Sequence, residues 1–257
     1  MCVLSARLVY LSPNAPSEEL RLSPVLAETV ARWCAAKEAT AVVIRHQSPY
    51  VLLGPKDRRL PNLSHAVQWL ESQGYPVFMR IGGGSAVLLD GDCLSFAVSR
   101  PCRDLTAWQD NFLTMSRGVI RALHALGIPA EFGRAAGSYC EGPYDLVVHG
   151  RKIAGIAQAI RGGFALVSGM LLVRQDPERT THLLQEFYHR AGSPLRLEAS
   201  AVTALHRFPG LAGVTLAQVE QALIDGFAAD YALSPQPLSS AEKALAQQLL
   251  TERRLLA

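Results

Sequence analysis

A cysteine and a lysine lie twelve residues apart in the stretch GSYCEGPYDLVVHGRKIAGIAQ, residues 137–158. Cys140 stands between glycines and a proline, which is a setting typical of a loop and unlike that of a packed core thiol. A loop thiol becomes a nucleophile when a nearby cation lowers its pKa, and Lys152 is a candidate for that cation. From these residues alone two simpler interpretations stay open: an unreactive loop thiol and a solvated lysine in a turn.

The segment GRKIAGIAQ around this lysine has the pattern of a β-strand. Strict alternation places Lys152 and Ala154 on one face of the strand and Ile153 and Gly155 on the other. If Gly155 and Ala157 leave room for a chain beside the strand, Lys152 can lie half-buried at the polar end of a ligand. We therefore take Lys152, Gly155 and Ala157 as candidates for a binding site.

A glycine triplet marks a second candidate segment, RIGGGSAV, at residues 80–87. Gly82, Gly83 and Gly84 remove every Cβ from a loop between strands, so that a ligand oxygen can approach the backbone amides. Arg80 at the end of the preceding strand can add charge-assisted hydrogen bonds. The segment is neither a P-loop, since no Gly-Lys-Ser/Thr follows, nor a dinucleotide motif, since a strand follows. A plain flexible turn is the alternative.

The composition excludes several classes of protein. Among 257 residues, 49% are hydrophobic and 18% charged, which is enough for a buried core. The formal net charge of +3 is too small to indicate a nucleic-acid partner, although it suits an acidic protein partner. No apolar run is long enough for a membrane span, and the N-terminus lacks the pattern of a signal peptide. We expect a cytoplasmic protein.

The five cysteines have no CxxC spacing and no cluster with histidine. This pattern argues against both a disulfide framework and a structural metal, and it favours reduced thiols. Cys34 falls in a predicted helix and is expected in the core. No metal site is predicted.

Helices and strands must position the candidate residues. The turn at Asp90-Gly91 predicts a hairpin between its flanking strands, and Thr106 with Gln109 predicts a capping box. Ser23 is a possible helix cap. Hairpins rather than βαβ units connect the central strands, which favours an α+β fold on a mixed or antiparallel sheet flanked by helices. Predicted helices cover residues 23–39, 65–75, 104–127, 176–192, 215–231 and 239–255; predicted strands cover 39–47, 48–54, 76–81, 85–89, 93–99, 144–150, 152–160 and 164–173.

The longest of these helices, residues 104–127, has a stripe that we expect to be core: Trp108, Phe112, Met115, Val119, Leu123 and Leu126. Residues 234–240, SPQPLSS, suggest a linker. We expect a catalytic domain at residues 1–210 and an α-helical C-terminal extension at 211–257, packed on it or following it.

Taken together, RIGGGSAVLLDGDCLSFAV and GRKIAGIAQ resemble the two signature segments of the biotin/lipoate protein ligase and octanoyltransferase superfamily. SPYVLLG, at residues 48–54, is similar to the early strand of that family, so the resemblance covers about residues 40–175. The segments SYCEGPYDL and GPKDRRLPNLSHAV most resemble the branch that transfers octanoyl groups from the glycine cleavage H-protein to other proteins.

This resemblance implies a catalytic-domain fold of the ligase type and assigns roles to the candidate residues. It makes Cys140 the nucleophile and Lys152 a cation that orients the acyl carbonyl. Arg80 and Gly82 to Gly84 would shape the acyl pocket, and Gly155 and Ala157 would line it. The implied enzyme moves an octanoyl or lipoyl group from a carrier protein, through an acyl-cysteine intermediate, to the lysine of a lipoyl domain. It needs no cofactor.

The implied partners are an acyl-carrying protein, either the glycine cleavage H-protein or acyl carrier protein, and apo lipoyl domains. The first alternative is an ATP-dependent lipoate-protein ligase, which would need no cysteine in the loop. The second is a carrier-binding protein without turnover, against which the presence of both Cys140 and Lys152 argues.

Overall fold

The computed structural model describes residues 4–255, and strands form its central layer. Cys2 lies outside these residues. The strands are β1 (Leu4–Leu11), β2 (Ala41–Arg45), β3 (Tyr50–Leu53), β4 (Val77–Met79), β5 (Val87–Leu89), β6 (Cys93–Pro101), β7 (Glu131–Gly133), β8 (Asp145–Val148), β9 (Arg151–Arg161), β10 (Phe164–Leu172) and β11 (Tyr231–Pro235).

These strands form two sheets. The large sheet has eight strands in the order β11-β1-β2-β6-β10-β9-β8-β7, and the small sheet has the order β4-β3-β5. Strand β1 pairs in parallel with β2 and β11, whereas the β2–β6, β6–β10, β10–β9, β9–β8 and β8–β7 pairs are antiparallel. The predicted α+β fold on a mixed sheet is therefore confirmed.

Helices cover both faces of the large sheet. One face packs on α5 and α7, with Val119, Leu123 and Phe227 in its core. The other packs on α2, where Cys34 is buried as predicted, and on the small sheet. The helices are α1 (Ser17–Leu20), α2 (Ser23–Lys37), α3 (Leu63–Ser72), α4 (Trp108–Met115), α5 (Arg117–Ala125), α6 (Pro177–Arg190), α7 (Leu216–Ala228) and α8 (Ser240–Arg253).

The hairpin predicted at Asp90-Gly91 is wrong. Strand β5, before the turn, pairs with β3 in the small sheet. Strand β6, after it, pairs with β2 on one side and β10 on the other. Because both edges of β6 are occupied, β5 has no edge to join, and the turn carries the chain from one sheet to the other.

The single helix predicted for residues 104–127 is divided at Ser116 into α4 and α5. The division accompanies a close approach of α5 to α7, because a Cβ atom on Gly118 would lie 2.2 Å from Cδ1 of Phe227. Trp108 was expected in the core, but it is 48% exposed. The helix α4 therefore contributes less to the core than its apolar stripe suggests.

Two predicted caps are also wrong. Asp104, rather than the Thr106–Gln109 box, caps the turn before α4, because its side chain accepts a hydrogen bond from the Thr106 N–H. Ser23 is the first helical residue of α2, and its hydroxyl lies 3.4 Å from the carbonyl oxygen of His46.

The segment after residue 210 contains the two predicted helices, α7 and α8, and also the strand β11. The predicted linker at 234–240 is tied to the sheet: Arg7 donates hydrogen bonds to the carbonyl oxygen of Pro237 at 2.6 Å and to Glu242 Oε1 at 2.6 Å. The segment is thus not purely helical, since its strand extends the large sheet beside β1. The division into two domains at residue 210 stays a prediction.

Candidate active site

Cys140 lies in the loop before β8 with an unusual backbone conformation. Its φ is 49°, in the left-handed region that non-glycine residues seldom adopt. The ammonium group of Lys152 donates hydrogen bonds to the carbonyl oxygens of Tyr139 at 3.0 Å and Cys140 at 2.9 Å. A conformation of this kind persists where the surroundings hold it in place, and it occurs often at functional sites.

Two donors approach the sulfur of Cys140. The Nη2 atom of Arg80 lies 3.1 Å from Sγ, and the backbone N–H of Ser85 lies 3.2 Å from it. Burial opposes ionisation of the thiol, but the positive charges of Arg80 and Lys152 outweigh it and lower the pKa of Cys140 below its ordinary value of 9.0. By contrast, burial raises the pKa of Cys34 to about 12. Cys140 is thus the thiol whose surroundings favour the thiolate.

Lys152 is deeply buried, not half-buried as predicted, with 1% of its surface exposed. Its third ammonium donor meets Asp145, whose Oδ2 lies 3.0 Å from Nζ. Both backbone contacts and this ion pair together use all three donors of the ammonium group. Burial raises the pKa of Asp145, and the charge of Lys152 opposes that rise. Asp145 was not predicted as a site residue, although it lies in the quoted segment SYCEGPYDL.

A β-bulge directs Lys152 toward this loop. On β8, Leu146 pairs with Ala154 and Val147 pairs with Lys152, so that Ile153 is an extra residue on β9. The predicted alternation of faces is therefore wrong on this side of the bulge. Consecutive Ile153 and Ala154 both pack in the core of the large sheet, and Lys152 lies on the same face as Gly155. The bulge thus directs the lysine toward Asp145 and the Cys140 loop.

Glycines allow the loops of the site to come together. A Cβ atom on Gly84 would lie 2.6 Å from Cys140 Sγ, and one on Gly54 would lie 2.0 Å from the carbonyl oxygen of Gly84. Gly84 also has a positive φ of 98°. Gly54, in the segment GPKDRR, had not been singled out as a site residue.

A cleft runs from Cys140 between the two sheets, with an empty volume of about 440 Å³ that includes the solvent at its opening. Three of the candidate residues, Arg80, Gly155 and Ala157, line it. Lys152 lies behind this wall. Gly82 and Gly83 do not line the cleft, and Gly84 touches Cys140 instead. Sequence reasoning did not identify the other residues that line it: Arg45, Leu52, Val87, Leu89, Ser95, Asp145, Ile156, Ser168, Gly169 and Met170.

The chain is similar to proteins of a known family. The profile of the family described as the lipoyl protein ligase A/B catalytic domain matches residues 16–228. The chain belongs to this family. Within the family, a relative from Kyrpidia tusciae named octanoyl-GcvH:protein N-octanoyltransferase is 39% identical over 159 residues, which are 58% of this chain and 55% of that protein.

A second relative with the same name, from an Exiguobacterium species, is 31% identical over 193 residues. That alignment covers 74% of this chain and 66% of the relative. The aligned part of the chain therefore spans between about half and two thirds of the length of these curated relatives.

Solved structures of the family share the fold. A lipoate-protein ligase A with bound ATP superimposes with a TM-score of 0.75 at 22% identity, over 97% of this chain and 95% of that one. A bipartite lipoate protein ligase from Thermoplasma acidophilum has a TM-score of 0.72 at 20% identity, over 98% and 93%. Both confirm the predicted fold of the ligase catalytic domain.

Replacing Arg80 by methionine should raise the pKa of the Cys140 thiol, because Arg80 is the largest influence that favours the thiolate. In the natural protein the rate of alkylation by iodoacetamide should reach half its plateau below pH 9.0, and in Arg80→Met at a higher pH. The measurement is alkylation of the tryptic peptide covering residues 135–151, in which Cys140 is the one cysteine. The tryptic peptide that contains half-buried Cys102 and fully buried Cys93, residues 81–103 of the natural protein, serves as the internal control, and equal pH profiles in both proteins would refute the role of Arg80.

Replacing Gly155 by alanine should lower the rate at which the Cys140 thiol reacts with an acyl donor. The new Cβ atom would lie 3.1 Å from Cε and 3.2 Å from Nζ of Lys152, so the ammonium group must move. When groups of a reacting site are displaced by a fraction of an ångström to about 1 Å, the rate falls by roughly ten- to hundredfold. Gly91→Ala is the matched control, because a Cβ atom there meets nothing within 4 Å. Equal rates for the two variants would contradict the prediction.

Proposed function

We propose that this protein is a cysteine-dependent acyltransferase that moves an octanoyl or lipoyl group from a carrier protein to the lysine of a lipoyl domain. The observation that carries the proposal is the position of Cys140: its sulfur accepts hydrogen bonds from Arg80 and Ser85 at the end of an apolar cleft. The names of the relatives support the same transfer, with the H-protein GcvH as carrier.

In the first step the Cys140 thiolate attacks the acyl carbonyl carbon. A carbon–sulfur bond forms, the bond to the carrier atom breaks, and that atom takes up a proton. In the second step the amine of the acceptor lysine attacks the thioester, loses a proton and expels the thiolate. When the donor is a lysine amide, the product is one as well, so the bonds broken and formed are equivalent and the transfer needs no ATP.

The charges around Cys140 serve both steps. As the carbon–sulfur bond forms, negative charge moves from Sγ to the carbonyl oxygen. Arg80 and the Ser85 N–H already lie near Sγ, and they are the donors that can form hydrogen bonds to the negatively charged oxygen. Lys152 acts by its charge and by holding the Cys140 carbonyl, since its three donors are occupied within the protein.

Access to Cys140 is possible from a second side. An open groove also reaches Cys140, and its charged lining residues are Lys56, Arg134, Arg196, Asp57 and Glu141. The acyl chain can therefore lie in the cleft while a carrier or acceptor side chain enters from the groove. Arg134 is paired with Glu141 at 2.8 Å, whereas Lys56 and Arg196 form no ion pair within residues 4–255 and suit an acidic protein surface.

The test uses the whole chain with octanoyl-loaded H-protein and no ATP. We expect an octanoyl adduct in the intact mass, located in the tryptic peptide 135–151, which an apo lipoyl domain then discharges. A second experiment uses octanoyl-loaded acyl carrier protein as the donor. The donor that gives the adduct is the carrier that the protein uses. Absence of an adduct from both donors, with acceptor modified only when ATP and free lipoate are present, would establish the ligase alternative instead.

We propose that no metal and no bound cofactor take part, and that the protein works in the cytoplasm. Cys34, Cys93, Cys102 and Cys140 are unpaired, which suits a reducing compartment. No group of three or more metal-binding side chains is found within residues 4–255. In the same range, no helix has both the length and the apolar character needed to cross a membrane.

A further inference from the structure

Arg45 is a buried charge in the wall of the acyl cleft. It is 4% exposed at the end of β2 and lines the same cleft as Cys140. Its Nε and Nη1 atoms have no hydrogen-bond partner within residues 4–255, and no carboxylate of these residues lies within ion-pair distance of it. A buried guanidinium group without an anion is costly, so a partner is expected when the cleft is filled.

The groups around Arg45 do not supply that partner. The Tyr50 hydroxyl lies close enough to interact with the guanidinium group, and Cys93 lies nearby, but burial raises the pKa of both, so neither supplies an anion near neutral pH. The Ser95 hydroxyl, on the neighbouring strand, donates its hydrogen bond to Gln47. The Arg45 side chain thus faces neutral groups and the cleft.

Strand pairing places Arg45 at the opposite end of the cleft from the nucleophile. Arg45 pairs with Ser95, Ser95 with Met170, and Met170 with Gly155, in one row across the large sheet. Three strand spacings separate the ends of this row, which is about 14 Å. Cys140 lies at the Gly155 end, so an acyl chain bound to Cys140 and lying along the row points its far end toward Arg45.

We propose that Arg45 recognises an electron-rich group at the far end of the acyl chain, and that the protein binds such acyl groups in preference to plain octanoyl. This inference rests on the proposed function for the direction of the acyl chain. A terminal methyl group leaves the guanidinium group unpartnered, whereas dithiolane sulfurs or a terminal carboxylate accept its hydrogen bonds. Arg45 is thus a specificity-determining residue of the cleft.

The inference can be tested by the binding of three probes in which a neutral amide replaces the reacting carbonyl group, so that no catalysis is required. The primary amides of octanoic acid, of lipoic acid and of an eight-carbon dicarboxylic acid, the last retaining one free carboxylate, are titrated into the natural protein by calorimetry. We expect one or both of the end-functionalised amides to bind roughly ten- to hundredfold more tightly than octanamide. Preference for the lipoic amide alone identifies sulfur as the recognised group, and preference for the carboxylate alone identifies charge.

Arg45→Met should remove this preference, so that octanamide binds at least as well as the other two. The variant is expected to fold, because replacing an unpaired buried charge by an apolar chain relieves desolvation. Met170→Leu, in the same row, is the control, since it changes the shape of the cleft without changing its charge and should alter all three affinities by similar factors. Equal or better binding of octanamide to the natural protein would overturn the inference, with or without the variants.

The same three acyl groups, loaded on one carrier, separate this inference from the proposed function. If binding shows the preference but no acyl group is transferred to Cys140, the acyltransferase proposal fails and the recognition by Arg45 stands. If all three are transferred at equal rates and bound with equal affinity, the acyltransferase proposal stands and the recognition by Arg45 is refuted.

Discussion

The Cys140→Ala protein is expected to form no acyl adduct and to transfer acyl groups at least about a thousandfold more slowly than the natural protein. The reason is that no other thiol can replace this nucleophile among the residues that the structure describes. Cys34 and Cys93 are buried, and burial raises the pKa of each. Cys102 lies at the end of β6, where its sulfur contacts the carbonyl oxygen of Asp104. The measurement is the rate of transfer from octanoyl-loaded carrier to an apo lipoyl domain, together with the intact mass of the enzyme.

Cys102→Ala is the matched control for this experiment, because it removes a half-buried free thiol outside the cleft. It should keep both the adduct and the rate of transfer. A Cys140→Ala protein that still modifies the acceptor when given ATP and free lipoate would show that the loop cysteine is dispensable. The protein would then be a ligase, and the acyl-cysteine mechanism would be wrong.

Replacing Lys152 by methionine should have the second largest effect, on stability as well as on rate. Without the ammonium group, the buried carboxylate of Asp145 loses its counter-charge, and the carbonyl oxygens of Tyr139 and Cys140 lose their donor. Breaking a buried ion pair costs about 3–5 kcal/mol of unfolding free energy. We also expect transfer to slow at least about a hundredfold, since the Cys140 loop loses its support and the thiolate loses a nearby positive charge. Urea unfolding and transfer kinetics measure the two effects.

A double variant separates these two effects. Lys152→Met combined with Asp145→Asn removes both charges and keeps an amide oxygen that can accept the Ile156 N–H, as Asp145 Oδ1 does in the natural protein. The Gly142 N–H, which Asp145 Oδ2 accepts at 3.0 Å, loses its acceptor in this variant. We expect part of the lost stability to return while transfer stays slow. Recovery of the rate along with the stability would mean that Lys152 has only a structural role.

Much of the site was predictable from local sequence. The glycines and proline around Cys140 predicted its loop, and the segment after Gly150 predicted the strand that carries Lys152, because turn residues and apolar patterns act over a few neighbouring residues. A turn with positive φ at His149 (49°) and Gly150 (73°) joins β8 to β9. The helices α7 and α8 also begin at the predicted places, because their first turns have capping boxes.

Other features depend on contacts between distant parts of the chain. Arg80 meets the sulfur of a residue 60 positions away. The bulge that directs Lys152 toward Asp145 is a property of how β8 pairs with β9, and no pattern within β9 alone indicates it. Likewise, the Asp90-Gly91 turn resembles a hairpin until the partners of β6 are known.

The sequence by itself predicted the candidate residues Cys140 and Lys152 and the loop and strand that carry them, because these follow from side-chain chemistry and short-range backbone preferences. Only the tertiary structure decided which charges act on Cys140, that Lys152 is buried in an ion pair, and that Arg45 faces the far end of the cleft. Desolvation and Coulomb interactions depend on distances between atoms of different strands, and sheet pairing sets those distances.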